Sequence, residues 1–234
     1  MEEVAVSRRS EVREGIRISL PAGLGMFPLG LAFGLLVVQA GLEWWVAPAL
    51  SIAVYAGSLE FLLVSLIVVS APLLTVAVTT LLVNFRHVFY AFTFPLKVVK
   101  NPIAKLYSAY SLTDEAFAIT AAKPDGWTAW RLVSMQIALQ IYWVGGGLAG
   151  VLIGSLLPAG IEGLDFALCA LFITLTLDAS RTKKEVPSLL LAASCYAFAA
   201  VAFPQAAMFA GLSLFVAVLF IRYVIERARG KAGA

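Results

Sequence analysis

Long apolar runs alternate with short polar breaks along this chain. The first run extends from about Leu20 to Ala40, the second from Trp45 to Ser70 and the third from Pro72 to Leu96. A polar stretch, 97–127, follows. Four more runs cover about Trp130 to Leu157, Leu164 to Asp178, Val186 to Phe203 and Gln205 to Tyr223. Most would span the roughly 30 Å hydrocarbon core of a bilayer as helices. The charges sit between the runs, whereas barrel strands would alternate apolar and polar residues. The pattern predicts an all-α integral membrane protein of about seven transmembrane helices, a single transmembrane domain over 1–234.

Several runs carry helix-disrupting residues. Pro21, Gly23, Gly25, Pro28, Gly30 and Gly34 crowd the first. Interior proline removes a backbone hydrogen bond, so this helix is expected to kink or unwind near Pro28. Gly30-x-x-x-Gly34 also permits close helix contact. Trp44 and Trp45 form an interfacial anchor ahead of the second run. That run is interrupted at Tyr55-Ala56-Gly57-Ser58-Leu59-Glu60-Phe61. In the fourth, Gln136 and Gln140 lie one turn apart on one face, and Gly145, Gly146, Gly147, Gly150 and Gly154 predict a second broken region. Its glycine face could dock a partner or pack within the chain. In the polar stretch, Tyr107 to Ala121 reads as one interfacial or cavity-capping helix. Thr113 is its candidate cap, with Asp114 and Glu115 in the first turn.

Two units of three helices resemble each other. Gly30-x-x-x-Gly34 and Gly146-x-x-x-Gly150 hold matching places, as do Tyr90-Ala91-Phe92 before Pro95 and Tyr196-Ala197-Phe198 before Pro204. An inverted 3+3 repeat plus one helix is the corresponding transporter layout. It would divide the chain into a first repeat at about 18–96, a connection at 97–127, a second repeat at about 128–204 and a last helix at 205–225. If every run crosses, twelve of the 17 Lys and Arg fall on one side, in the connection, the Arg181–Lys184 loop and the C-terminal tail. That side should be cytoplasmic. Arg8, Arg9, Arg13 and Arg17 then oppose the implied position of the N-terminus, unless one of the first three runs is re-entrant.

Composition agrees with a membrane protein: 61% hydrophobic, 13% charged and mean hydropathy +0.92. A net charge of +3 gives no reason to expect nucleic acid as a partner. Met1 to Arg17 reads as a polar exposed tail without the apolar core of a signal peptide. Cys169 and Cys195 fall inside apolar runs, as small hydrophobes rather than a disulfide or metal pair. No cofactor or metal is expected, and no soluble catalytic domain; function should lie within the helices.

The chemistry concentrates in Leu81-Leu82-Val83-Asn84-Phe85-Arg86-His87-Val88-Phe89-Tyr90, where three polar side chains sit midway along an apolar run. His87 is the sole histidine. An arginine at mid-membrane costs at least roughly 2.5–3.5 kcal/mol, so it is expected to be paired or to face water. Glu60 falls at a similar depth and is the natural partner for Arg86 or His87. A lone protonated Glu60 is the competing arrangement, and Asp114 or Glu115 would then be the better partner for Arg86. Plain helix-to-helix bonding by Asn84, Arg86 and His87 is the structural alternative. Ser58, His87 and Asp114 lack the local sequence of a nucleophile elbow, so no enzyme is expected.

Tyr55-Ala56-Gly57-Ser58, Leu81 to His87, Thr113-Asp114-Glu115 and Gly163-Leu164-Asp165-Phe166, in that order, resemble the AzlC family of branched-chain amino acid permeases. Trp130, the Gly145–Gly150 run and the Pro21–Gly34 region are similar too. The sequence departs from the family pattern at Glu60, usually glutamine, and at Ala91, commonly glycine. The resemblance implies export of valine, leucine and isoleucine, sometimes methionine, from a cell membrane with a small AzlD-type membrane partner. In that light Pro28, Tyr55, Gly57, Ser58, Glu60 and Asn84 are candidate substrate-binding residues. Glu60, Arg86, His87, Asp114 and Glu115 are candidates for ion coupling or a charge network. A channel, or a non-transporting subunit of a larger complex, is the alternative; broken helices with mid-membrane polar groups favour a carrier.

Overall fold

The computed structural model describes residues 7–123, 125–157, 173, 186–204 and 207–232. The described residues are helical, in the order α1 (Arg8–Gln39), α2 (Val46–Ala53), α3 (Gly57–Val68), α4 (Leu73–Asn84), α5 (Arg86–Thr93), a short 3-10 turn (Leu96–Val98), α6 (Pro102–Tyr110), α7 (Asp114–Ala122), α8 (Ala129–Leu156), α9 (Val186–Ala202) and α10 (Ala207–Ala232). By length and composition, three stretches among them can cross a membrane: Arg8–Gln39, Leu73–Thr93 and Ala129–Leu156. Gly57–Val68, Val186–Ala202 and Ala210–Ile225 are shorter apolar helices. Apart from Ile173, the expected fifth run, Leu164 to Asp178, lies outside the described residues, as do the Gly163–Phe166 motif, Cys169 and the Arg181–Lys184 loop.

The chain forms two compact units. The first holds residues 1–71 and 83–162, the second 72–82 and 163–234, so the boundary falls inside α4. In the second, α9 packs on α10: Cys195 and Ala199 are buried, and a Cβ at Gly211 would come within 3.1 Å of the Tyr196 backbone.

The first unit is built on α1 against α8. Gly15, Ser19, Gly23, Met26, Gly30, Phe33 and Val37 are buried at spacings of three or four, one helical stripe. Gly146, Gly150 and Gly154 answer them on α8. A Cβ at Gly34 would sit 2.0 Å from the Gly147 carbonyl oxygen, one at Gly150 2.0 Å from that of Leu31, and one at Gly146 2.3 Å from that of Phe27. Backbone meets backbone along the pair. In lipid, where apolar burial offers little drive between helices, such close packing is the main attraction.

Neither helix unwinds where its sequence pointed to it. α1 is helical through Pro21 and Pro28, and α8 is helical through its glycines. Glycines suited to break a helix here let two helices approach. The glycine face of α8 is occupied by α1 and is not free to receive a partner. α1 also starts at Arg8, inside the expected tail. There Glu11 is buried, bonded by Arg131 Nη2 at 2.7 Å and by the Thr128 hydroxyl, which ties the start of α1 to the start of α8.

The second and third runs do break. α2 and α3 are separated by Val54-Tyr55-Ala56, with Tyr55 at φ +46°. α4 and α5 are separated by Phe85. The connection holds two helices rather than one from Tyr107 to Ala121. Asn101 caps α6, accepting from the Ile103 and Ala104 N–H groups at 3.0 Å each. Thr113 caps α7, accepting from the Ala116 N–H at 3.3 Å.

Candidate functional site

A helix break inside an apolar bundle leaves backbone groups without partners, and each must find another. At the α2–α3 break the freed Ala56 N–H donates to Glu60 Oε1 at 3.0 Å. The freed Ile52 carbonyl accepts from the Tyr110 hydroxyl. At the α4–α5 break Val88 N–H bonds Phe85, so the Asn84 carbonyl is left over. His87 Nδ1 lies 3.0 Å from it. A carbonyl only accepts, so Nδ1 carries the hydrogen. The Val83 carbonyl accepts from Arg86 Nη1 at 2.6 Å. The side chains that interrupt these runs are also the ones that satisfy the interruptions.

Glu60 is fully buried. It accepts from the Ser51 hydroxyl at 2.8 Å, from the Ala56 N–H, and from Trp143 Nε1 at 3.1 Å to each carboxylate oxygen. Phe33 stacks on Trp143 at 6.0 Å, and Phe61 meets both rings edge-on. All the hydrogen-bond partners of Glu60 are neutral donors. The expected Glu60–Arg86 or Glu60–His87 pair is therefore not formed. Arg86 instead makes a two-pronged pair with Asp114 at the start of α7, at 2.8 and 2.7 Å. The Tyr90 hydroxyl donates to the same carboxylate at 2.9 Å, and the Tyr90 ring stacks on Phe117 at 4.1 Å. Glu115 follows in the first turn of α7.

α6 is held to α8 by amide hydrogen bonds. Gln136 accepts from the Ser108 hydroxyl at 2.6 Å and donates to the Ser108 and Ser111 carbonyls at 2.8 and 3.0 Å. Gln140 accepts from Tyr107 at 2.8 Å and donates to the Tyr110 oxygen at 3.0 Å. Ser51, Tyr110 and Trp143 had not stood out as site residues. Trp143 continues the Gln136–Gln140 face by one helical step, and that spacing was its only sequence signal.

Between these elements lies a cavity of about 380 Å³. Val54, Tyr55 and Ala56 come from the first break, Asn84, His87, Ala91, Phe94 and Leu96 from the third run, and Ala109, Tyr110 and Leu112 from around α6. Among the described residues its wall contains no carboxylate, lysine or arginine. Tyr55 and Asn84 in this lining each carry an enclosed oxygen without a hydrogen-bond partner among the described residues, the Tyr55 hydroxyl and Asn84 Oδ1. Most buried polar atoms are paired, so each is an unmade bond inside the protein.

Of the six candidate substrate residues, the structure brings Tyr55 and Asn84 into this wall. Glu60 is sealed behind the break. A Cβ at Gly57 would meet the Trp143 ring at 2.9 Å. Ser58 and Pro28 lie on exposed faces, and Pro28 sits in an unbroken helix with no unwound amides to offer. His87, assigned to ion coupling, lines the cavity itself.

The sequence profile of the AzlC protein family matches residues 21–157, more than half of the chain. The chain belongs to the AzlC family. An uncharacterized membrane protein of Helicobacter pylori is 35% identical over 159 residues, covering 66% of this chain and 69% of that protein. The branched-chain amino acid transport protein AzlC of Bacillus subtilis is 28% identical over 187 residues, 77% of this chain and 74% of that one. The inner membrane protein YgaZ of Escherichia coli is 28% identical over 184 residues, 74% and 75% of the two chains. No solved structure gives a significant match. The AzlC match runs from α1 through α8 and so includes both helix breaks and every residue of the cavity wall.

Proposed function

We propose that this AzlC-family protein is a carrier for branched-chain amino acids, with the cavity as its substrate site. The observation behind this reading is the wall: the polar residues Tyr55, Asn84, His87 and Tyr110 stand in a lining otherwise made of Val54, Ala56, Ala91, Phe94, Leu96, Ala109 and Leu112. A pocket of a few hundred Å³ that is mostly apolar with a few fixed polar groups suits a small ligand with one polar end. The name of the Bacillus subtilis relative supports the same substrate class. The polar residues of the wall can hold the charged end of such a ligand, and the apolar wall takes the branched side chain.

Export, coupling to the proton gradient, a small AzlD-type partner, placement in the cell membrane and a seven-span layout with an inverted repeat belong to the same proposal. The test is thermal unfolding of the purified protein with each of the twenty amino acids. Leucine, isoleucine and valine should raise Tm, with lysine and glutamate inert. No shift with any of the three branched amino acids would contradict the assignment.

A further inference from the structure

α1 and α8 lie side by side with their starts together. Glu11, near the start of α1, bonds Arg131, near the start of α8, at 2.7 Å. A Cβ at Gly154, near the end of α8, would meet Val38, near the end of α1, at 3.2 Å. The two helices are parallel. Both are long and apolar enough to cross a bilayer, so both enter from one side and leave on the other. The chain finishes α1 on the far side and begins α8 on the near side. Between Gln39 and Ala129 it therefore crosses an odd number of times. Two long apolar runs lie there, so one of them turns back.

The second run is the one that turns. The Ser51 hydroxyl of α2 donates to Glu60 of α3 at 2.8 Å. In a helix that carried on, nine residues would advance ~13 Å at 1.5 Å each. A serine and a glutamate side chain joined by one hydrogen bond bridge roughly 10 Å between Cα atoms. Contacts with α1 and α8 trace the turn. A Cβ at Gly147 would lie 3.9 Å from Ser51 Oγ and 4.0 Å from the Phe33 ring, and Phe61 meets that ring at 5.5 Å. Between Ser51 and Phe61, Tyr55 packs on Tyr110 at 5.7 Å. Tyr110 bonds Gln140 at 3.0 Å, about two turns nearer the start of α8 than Gly147. So α2 comes in from the side where α1 ends, Tyr55 at φ +46° forms the tip, and α3 goes back. The third run, with Leu73–Thr93 long enough to span, supplies the one crossing.

α6 and α7 make the same excursion from the other side. Ser108 bonds Gln136 at 2.6 Å and Tyr107 bonds Gln140 at 2.8 Å. Gln140 lies about 16 Å along α8 from Ala129, roughly half of the 30 Å hydrocarbon core. α7 then leads back to the start of α8, where Trp127 Nε1 donates to the Lys123 carbonyl at 2.6 Å. Val54, Tyr55 and Ala56 of one turn and Ala109, Tyr110 and Leu112 of the other line the cavity.

We propose that α2–α3 and α6–α7 are re-entrant hairpins that enter the membrane from opposite sides and meet, Tyr55 against Tyr110, at the cavity, α6–α7 from the cytoplasm and α2–α3 from outside. Irregular backbone at mid-membrane is tolerated where it is buried in protein or lines a cavity, as both tips do. Charge sets the orientation. Arg8, Arg9, Arg13 and Arg17 now share a side with Lys97, Lys100, Lys105, Lys123 and Arg131, while 40–45 and 69–72 hold no lysine or arginine. The cation-rich side is cytoplasmic, and the N-terminal arginines no longer oppose it. The layout changes at this point: the second run does not cross, and α1 and α8 run in the same direction instead of being inverted. Substrate from outside reaches the cavity past α2–α3, and from the cytoplasm past α6–α7. The topology holds whether or not the cavity binds an amino acid.

The experiment is cysteine labelling of the full chain in cells. Cys169→Ser and Cys195→Ser remove the native thiols, and single cysteines are placed by Arg9→Cys, Glu43→Cys, Ser70→Cys and Lys100→Cys. A membrane-impermeant maleimide is added to intact spheroplasts and, separately, after permeabilisation. Glu43→Cys and Ser70→Cys should label as fully in intact spheroplasts as in permeabilised ones. Arg9→Cys and Lys100→Cys should label only after permeabilisation. Labelling of positions 43 and 70 from opposite sides would show that the second run crosses and would overturn the proposal. So would labelling of positions 9 and 100 from opposite sides, or of both from outside. Where position 43 or 70 stays unreactive after permeabilisation, Trp44→Cys or Val69→Cys gives the same reading. None of these outcomes touches the substrate assignment, which stands or falls with amino acid binding.

Discussion

At the scale of single residues, the polar groups of this chain divide into those that satisfy a helix break and those left over at the cavity. Tyr55 is the clearest of the second kind. Its hydroxyl is buried and unpartnered, and an unmade bond of that sort costs roughly 1–3 kcal/mol. Tyr55→Phe should therefore leave the thermal stability of the empty protein unchanged or slightly raised, and weaken leucine binding. A structural hydroxyl would give the opposite, lower stability with unchanged binding; Tm and Kd measured on the one variant separate the two. Arg86 and Asp114 belong to the first kind. Their side chains are 35% and 43% exposed, so the pair should be worth roughly 1–3 kcal/mol, between exposed and fully buried pairs. Arg86→Ala and Asp114→Ala should each lower Tm, and the double variant should lose less than the sum of the two. Glu60→Ala should not couple to Arg86→Ala in the same cycle. Strong coupling between those two would restore the pairing expected from sequence depth.

At the scale of elements, the sequence was informative about where helices end and poor about which glycines and prolines matter. Thr113 was legible as a cap because Thr-Asp-Glu places an acceptor before two acids. The Tyr55–Glu60 interruption was legible because small and polar side chains cluster there. The role of the α1 glycines was not, because their partner lies on α8: a Cβ at Gly34 would stand 2.0 Å from the Gly147 oxygen, more than 100 residues further along. Gly30-x-x-x-Gly34 announces close approach without naming the partner. The Arg86 partner was missed for a related reason. Equal depth pointed to Glu60, with Asp114 on the capping helix only the alternative, and the bonds of Glu60 to Ser51, Ala56 and Trp143 removed it. A direct consequence concerns two glycines of one helix. Gly34→Ala should reduce membrane yield sharply, since overpacking into a rigid backbone costs roughly 1–3 kcal/mol or more. Gly25→Ala, with nothing within 4 Å of its added Cβ, should match wild type. Expression levels and Tm compared in parallel check this, and equal loss in both would argue for a conformational rather than a packing role.

At the scale of the whole molecule, α1 and α8 form a closely packed pair within the first unit, and the two broken runs with α6 and the turn after it line the cavity. The parts have different work. Backbone contacts hold the pair; amide and carboxylate bonds hold the wall. The sequence made the membrane class and the helical content plain, since both follow from the length and spacing of apolar runs. It made the site half plain. Asn84, Tyr55 and His87 stood out by being polar in an apolar run, while Tyr110 and Trp143 looked like ordinary membrane aromatics. The central claim is that branched-chain amino acids move through this cavity. The most direct measurement is counterflow of labelled leucine into proteoliposomes preloaded with unlabelled leucine, for wild type and for Ala109→Trp, which places a large ring in the wall. The account predicts uptake by wild type that unlabelled isoleucine and valine compete away and lysine does not, and little uptake by Ala109→Trp at equal incorporation. Absence of counterflow in wild type, or unchanged counterflow in Ala109→Trp, would contradict it.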